Sequence, residues 1–217
     1  MLKKYKTFFE YGEAETELKK SKFIGQAFYV AGEAEVQAIL AGLRKKHRGA
    51  NHNCYAYRLE AATIIERQSD DGEPSGTAGM PILDILRGFS VVNGLIVVTR
   101  YFGGTLLGTG GLVKAYGEAA KTAVNAAGII EKELYAAISL FCGYTLSGKI
   151  EHELKKTGRH IDAIVYTHRV EFKVNILIDD VLNFSKEMTD ISSGAVHIET
   201  NEQLYGGILE GKFVRLL

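Results

Sequence analysis

Gly94-Leu95-Ile96-Val97-Val98-Thr99-Arg100-Tyr101, followed by Phe102-Gly103-Gly104-Thr105-Leu106-Leu107-Gly108-Thr109-Gly110-Gly111-Leu112, is the stretch whose reading decides the fold. An apolar, β-branched run without polar alternation reads as a strand buried on both faces. It ends in a cation and two aromatics. The chain then turns through five glycines and enters an apolar helix over 112–127, closed by Gly128. A strand, a glycine-rich turn and a helix at this point require a sheet with a helix packed on it.

Working towards the N-terminus, residues 81–87 read as a short apolar helix with Pro81 at its first position. Residues 69–80 form a loop dense in Gly, Ser, Asp and Pro. Residues 53–59 and 63–67 read as paired strands, and 5–11 and 22–30 as two more. Between them, Val36, Ile39, Leu40 and Leu43 recur at helical spacing over 33–46. The run Arg44-Lys45-Lys46-His47-Arg48 closes that helix, where cations complement its dipole. Working towards the C-terminus, the order from Ala136 is strand, helix, strand, strand, helix, strand. Its first helix is 147–157, with Ser147 as N-cap. That is the split βαβ arrangement of ferredoxin-like domains. The expectation is therefore an α+β chain with one domain over 1–135 and a second over 136–217.

The bulk numbers bound the function. A chain of 217 residues with 46% hydrophobic content suits two globular domains. Its formal net charge of zero excludes a strongly basic nucleic-acid arm and leaves local patches. Cys54 and Cys142 fall in different domains, so a framework disulfide is not expected and reduced thiols fit the cytosol. Met1 to Lys6 has no apolar run behind it, unlike a signal peptide. No apolar run approaches the roughly 20 residues a membrane helix needs. A soluble, cytoplasmic protein without membrane contact is expected.

Three segments could carry chemistry. The loop Ser69-Asp70-Asp71-Gly72-Glu73-Pro74-Ser75-Gly76-Thr77-Ala78-Gly79 could hold Mg²⁺ through Asp70, Asp71 and Glu73, or present Ser75, Gly76 and Thr77 amides to an anion. It could equally be a tight connection with solvated acids. In the second segment, Gly108, Gly110 and Gly111 at a helix start offer bare amides to an anion, with Gly103 and Gly104 in the turn. Arg100 and Lys114 could add charge, and Tyr101 and Phe102 could stack on a base. No Lys follows Gly108 as a P-loop demands, and the glycine spacing fails the dinucleotide fingerprint. Close packing of helix on sheet would also call for glycine here. In the third segment, His52 and Cys54 share one strand face and could act as base and nucleophile. A buried thiol, however, more often serves as a small hydrophobe. No zinc-type cysteine spacing occurs.

Ser21-Lys22-Phe23-Ile24, His52-Asn53-Cys54, the loop from Asp70 to Gly79 and the run from Arg100 to Leu112 together resemble the YigZ/IMPACT family, over essentially the whole chain. The resemblance implies an N-terminal domain similar to domain 2 of ribosomal protein S5. It also implies a ferredoxin-like C-terminal domain similar to one in elongation factor G. Eukaryotic members, which carry a further RWD domain, regulate translation by competing for an activator of a stress-responsive initiation-factor kinase. No catalytic residues transfer from the family. The first expectation is binding of RNA or the ribosome with modulation of translation. The rivals are a Mg²⁺-dependent enzyme acting on a phosphorylated small molecule or nucleotide, and a module that binds a protein partner.

Overall fold

The computed structural model describes residues 2–209 and 211–216. The chain divides into two compact units, Met1–Glu131 and Lys132–Leu217.

The N-terminal unit contains β1 (Lys4–Phe8), β2 (Gly12–Leu18), β3 (Ser21–Tyr29), α1 (Glu33–Lys46), β4 (His52–Leu59), β5 (Ile65–Ser69), α2 (Gly79–Gly88), β6 (Gly94–Tyr101) and α3 (Gly108–Ala127). Its five-stranded sheet runs β2-β3-β6-β4-β5, with every neighbouring pair antiparallel. Central β6 is the apolar run from which the fold was read, and residues 94–100 are buried. Alternation splits it between two cores. Ile96 and Val98 join Phe23, Ala27, Cys54 and Ala56 under α2 and α3. Leu95 and Val97 join Tyr57 and Leu59 against Val36, Leu40 and Leu43 of α1. Both faces of the sheet are thus covered by helices, which is why polar alternation is missing from β6.

Helix α3 lies unusually close to the sheet. A Cβ at Gly25 would meet the Ala119 carbonyl oxygen at 2.2 Å, and one at Gly12 would meet the Ala127 nitrogen at 2.3 Å. Ala115, Ala119 and Ala123 are the small residues that match this approach from the helix side.

Strand β7 (Ile129–Cys142) carries the change from one unit to the next. The C-terminal unit continues with α4 (Tyr144–Lys156), β8 (Ile161–Tyr166), β9 (Val170–Leu177), α5 (Val181–Ile191), β10 (His197–Leu209) and β11 (Lys212–Leu216). Its strands run β11-β10-β7-β9-β8. Without β11 this is βαββαβ with an antiparallel sheet, the ferredoxin-like arrangement expected. Ile138, Leu140, Phe172 and Val174 pack beneath Ile150, Leu154, Phe184 and Met188 of the two helices.

Several local readings differ from the structure. Helix α2 starts at Gly79, so Pro81 is its third residue and not its first. β2 and β11 are additional strands; the acidic GEAETEL of β2 hides an edge strand behind charge. Helix α3 starts at Gly108, so Gly110 and Gly111 lie within its first turn. Tertiary packing against the sheet outweighs the poor helix propensity of glycine there. Ser147 is not an N-cap. The cap position is Gly143, and Ser147 Oγ donates to the Tyr144 carbonyl at 2.8 Å from inside α4.

Candidate functional site

The functional candidates of the N-terminal unit gather where β6 ends. Register places His52 of β4 and Phe23 of β3 directly beside Arg100, so the three side chains share the α2/α3 face. Arg100 is nearly solvent-free at 6% exposure, and so is Glu73 at 8%. Arg100 Nη1 donates to Glu73 Oε1 at 2.6 Å, and the fully buried Tyr116 hydroxyl donates to the same oxygen at 2.7 Å. Arg100 Nη2 reaches Ser21 Oγ at 3.4 Å, and the guanidinium sits over the rings of Phe23 and Phe102 at 5.5 and 5.6 Å. A buried charge of this kind persists only when paired and hydrogen-bonded. Glu73 is the paired group, brought in by the loop between β5 and α2.

That loop is organised by Asp70. Its Oδ1 accepts from the Ala78 and Gly79 amides at 3.0 and 2.8 Å, and its Oδ2 from Gly76 at 2.9 Å. Burial pulls the Asp70 carboxyl upward, but the three backbone donors outweigh it and the pKa is lowered. Asp71 accepts from the Asn53 amide through Oδ2 at 2.7 Å and lies 3.7 Å from Arg44. The three carboxylates read as candidate Mg²⁺ ligands thus serve three different partner sets. Among the described residues, no group of three or more His, Cys, Asp or Glu is placed to hold a metal ion. Thr77 turns its hydroxyl back to the Pro74 carbonyl at 2.6 Å, and Ser75 is exposed.

His52 and Cys54 share a face but not a hydrogen bond. His52 Nδ1 lies 2.8 Å from the Asp71 carbonyl, which fixes its hydrogen on Nδ1 and leaves Nε2 facing Glu73 Oε1 at 3.8 Å. Cys54 Sγ donates to the Asp70 carbonyl at 3.0 Å. Burial pushes the thiol up to about 12. Cys54 and His52 thus turn to the carbonyls of Asp70 and Asp71 rather than to each other.

Beside the Arg100–Glu73 pair lies a cleft of about 460 Å³, lined by His52, Glu73, Pro74, Arg100, Phe102 and, around the start of α3, Leu106 to Thr109 and Leu112. Phe102 is half exposed, and Leu106 is 83% exposed at the rim. No side chain caps α3, and Gly108 and Thr109 line the cleft at the positive end of the helix. Gly108 has φ +70 and Gly104 φ +83. A Cβ at Gly110 would meet nothing within 4 Å, so close packing does not account for glycine there. Gly103 does have a packing role: a Cβ would fall 2.0 Å from the backbone of Lys20. Its amide donates to Ser21 Oγ at 3.1 Å.

Of the sequence candidates, His52, Glu73, Arg100 and Gly108 line the cleft; Cys54, Asp70, Asp71, Ser75, Gly76, Thr77, Tyr101, Gly103, Gly104, Gly110, Gly111 and Lys114 do not. Tyr101 points to the α1 face, where its hydroxyl meets His47 Nδ1 at 2.9 Å. Lys114 is exposed further along α3.

Comparison with known proteins adds the ancestry. Residues 19–124 match the Impact N-terminal domain, and residues 140–195 match a domain of unknown function, DUF1949. The chain is 38% identical over 205 residues to the IMPACT family member YvyE of Bacillus subtilis (strain 168), covering 94% of each chain. The chain belongs to the IMPACT family. It is also 35% identical to the IMPACT family member YigZ of Escherichia coli (strain K12), covering 86% of this chain and 93% of that one. A solved structure described as that of a hypothetical protein matches at 33% identity with a TM-score of 0.60, over 93% of this chain and 99% of that chain.

In this IMPACT-family chain, sequence reasoning passed over two site residues. Tyr116 sits eight positions into α3, and only its side-by-side placement with Glu73 gives it a role. Asn51 follows the basic run and accepts from the Phe102 amide through Oδ1 at 2.8 Å, pinning the strand end. Around that end lie exposed cations: Lys19 and Lys20 in the β2–β3 turn, Lys45 in the last turn of α1 and Arg48 beyond it. None of these four has an ion pair among the described residues.

Proposed function

We propose that this chain is a cytoplasmic regulator of translation that binds single-stranded RNA, ribosomal RNA included, at the β6–α3 end of its N-terminal unit. One observation carries the reading. An exposed aromatic, Phe102, stands between the uncapped amide end of α3 and a turn bearing two unpaired lysines. A stacking platform flanked by donors for phosphate is the recurring arrangement of sequence-tolerant single-strand binding. Membership in a family with translation regulators supports the cellular role. The zero net charge of the chain makes the affinity modest and salt-sensitive, because a few local cations release few counterions. Among the described residues, no helix is long and apolar enough to cross a membrane.

A second reading has its own observation. Leu106, Phe102, Val113 and Met80 form exposed apolar surface near the same end, which suits a protein partner.

Fluorescence anisotropy with labelled single-stranded RNA and ribosome co-sedimentation, both at low salt, test the proposal. Phe102→Ala is expected to weaken RNA binding by roughly 5- to 150-fold, the worth of one stacked base. Lys19→Ala with Lys20→Ala is expected to weaken it further and flatten its salt dependence. Absence of both RNA and ribosome binding at low salt refutes the reading, and leaves the protein-partner surface to be pursued instead.

A further inference from the structure

We infer that the cleft at the start of α3 is a pocket for a single nucleotide, in which Glu73 Oε2 accepts from the amino group of an unpaired cytosine or adenine. The inference rests on the RNA-binding reading and names what that site selects.

The argument begins with an imbalance in the Glu73 carboxylate. Both hydrogen bonds it receives from side chains go to Oε1: Arg100 Nη1 at 2.6 Å and the Tyr116 hydroxyl at 2.7 Å. Oε2 takes no hydrogen bond from any described residue. Yet Glu73 is 8% exposed and forms part of the cleft lining. Oε2 is not buried without a partner, so it is open to water in the cleft. An ionised carboxylate has about four acceptor positions, and those of Oε2 are free for a donor on the cleft's occupant.

The surroundings restrict which donor. A free ammonium is disfavoured, because Arg100 and the positive end of α3 face the same space. Phe102, Leu107, Leu112 and Pro74 supply apolar walls that suit a flat ring. Gly108 and Thr109, also in the lining, bring the positive end of α3, which favours an anion. A planar ring with an N–H donor on one edge and an anion at its other end describes a nucleotide. A volume of about 460 Å³ admits one such unit and excludes a duplex.

Between the two pyrimidines, the edge presented to Oε2 decides. Cytosine offers its N4 amino group, whereas uracil offers its O4 acceptor, which a carboxylate repels. Ring size, stacking and phosphate are the same in both, so the comparison isolates Glu73.

The test is anisotropy titration of the full chain with labelled oligo(C) and oligo(U) of equal length at low salt. Wild-type protein is expected to prefer oligo(C) by at least about tenfold, as for a hydrogen bond to a charged group. Glu73→Gln keeps an oxygen for Arg100 and Tyr116 and places an amide donor at the Oε2 position, so the preference should vanish or reverse towards oligo(U). A circular dichroism melt checks that this variant folds. Should it not, wild type and Phe102→Ala decide: the latter changes an exposed side chain and should weaken both oligomers while keeping their ratio. Equal affinity of wild type for oligo(C) and oligo(U) overturns the inference and leaves RNA binding standing. Failure to bind either oligomer overturns both.

Discussion

Replacing Glu73 by Ala leaves the Arg100 guanidinium at 6% exposure with no acid to face, and leaves the fully buried Tyr116 hydroxyl without its acceptor. Breaking a buried pair by removing one partner costs about 3–5 kcal/mol. Arg100→Met should cost a similar amount, since it strands the carboxylate instead. The double variant Arg100→Met/Glu73→Leu removes both charges and should recover much of the loss, because a buried ion pair replaced by apolar groups is often near neutral. A double variant no worse than either single then implies a coupling between the two sites of at least about 3–5 kcal/mol. The chain has no Trp, so denaturant unfolding is followed by far-UV circular dichroism, with amide exchange in β6 and α3 reporting the N-terminal unit alone. A cost below about 1 kcal/mol for either single variant, the level of an exposed ion pair, would refute the view that this pair organises the cleft.

Other outcomes follow from the same geometry. Asp70→Ala should cost about 1–2 kcal/mol by uncapping α2 and freeing the loop, measured as a drop in melting temperature. The folded-state pKa of Asp70 is lowered, so its contribution is fully present above the unfolded value of about 3.9 and is lost as pH falls through the folded one. Wild type should therefore lose stability on acidification below about pH 4 with a slope that Asp70→Asn lacks. Cys54 should resist alkylation at neutral pH in the folded chain and react freely in denaturant, as a thiol pushed up to about 12 by burial requires; rapid native labelling would contradict its placement. Gly25→Ala should destabilise strongly through the 2.2 Å overlap with Ala119, whereas Gly110→Ala meets open space and should stabilise α3 by up to about 1 kcal/mol in thermal melts.

Strong periodicity was readable without coordinates. Helix α1 has the bounds that Val36, Leu40 and Leu43 imply, and β6 is buried on both faces because its apolar run leaves no polar side. The βαββαβ order of the C-terminal unit was likewise legible. What escaped were features set by distant partners. β2 reads as a charged segment because, as an edge strand, it turns its glutamates to solvent. Gly108 to Gly111 read as a turn, since local propensity carries no record of a helix continuing behind them. Arg100 read as a strand-end cation that could add charge to an anion site. Its pairing with Glu73, 27 positions earlier in the chain, depends on how Asp70 folds the intervening loop. Asp70, Asp71 and Glu73 are close in sequence and invite a shared role; backbone turns at Asp71 (φ 43) and Gly72 (φ 90) send them to separate partners.

The central claim is that RNA meets the end of β6, and residue-resolved chemical-shift mapping tests it most directly. On titration of isotope-labelled protein with a short single-stranded RNA, shifts are expected at Phe102, Gly108, Thr109, His52 and the Lys19–Lys20 turn, with little change in β7 to β11. Shifts confined to the C-terminal sheet, or none at saturating RNA, would contradict it.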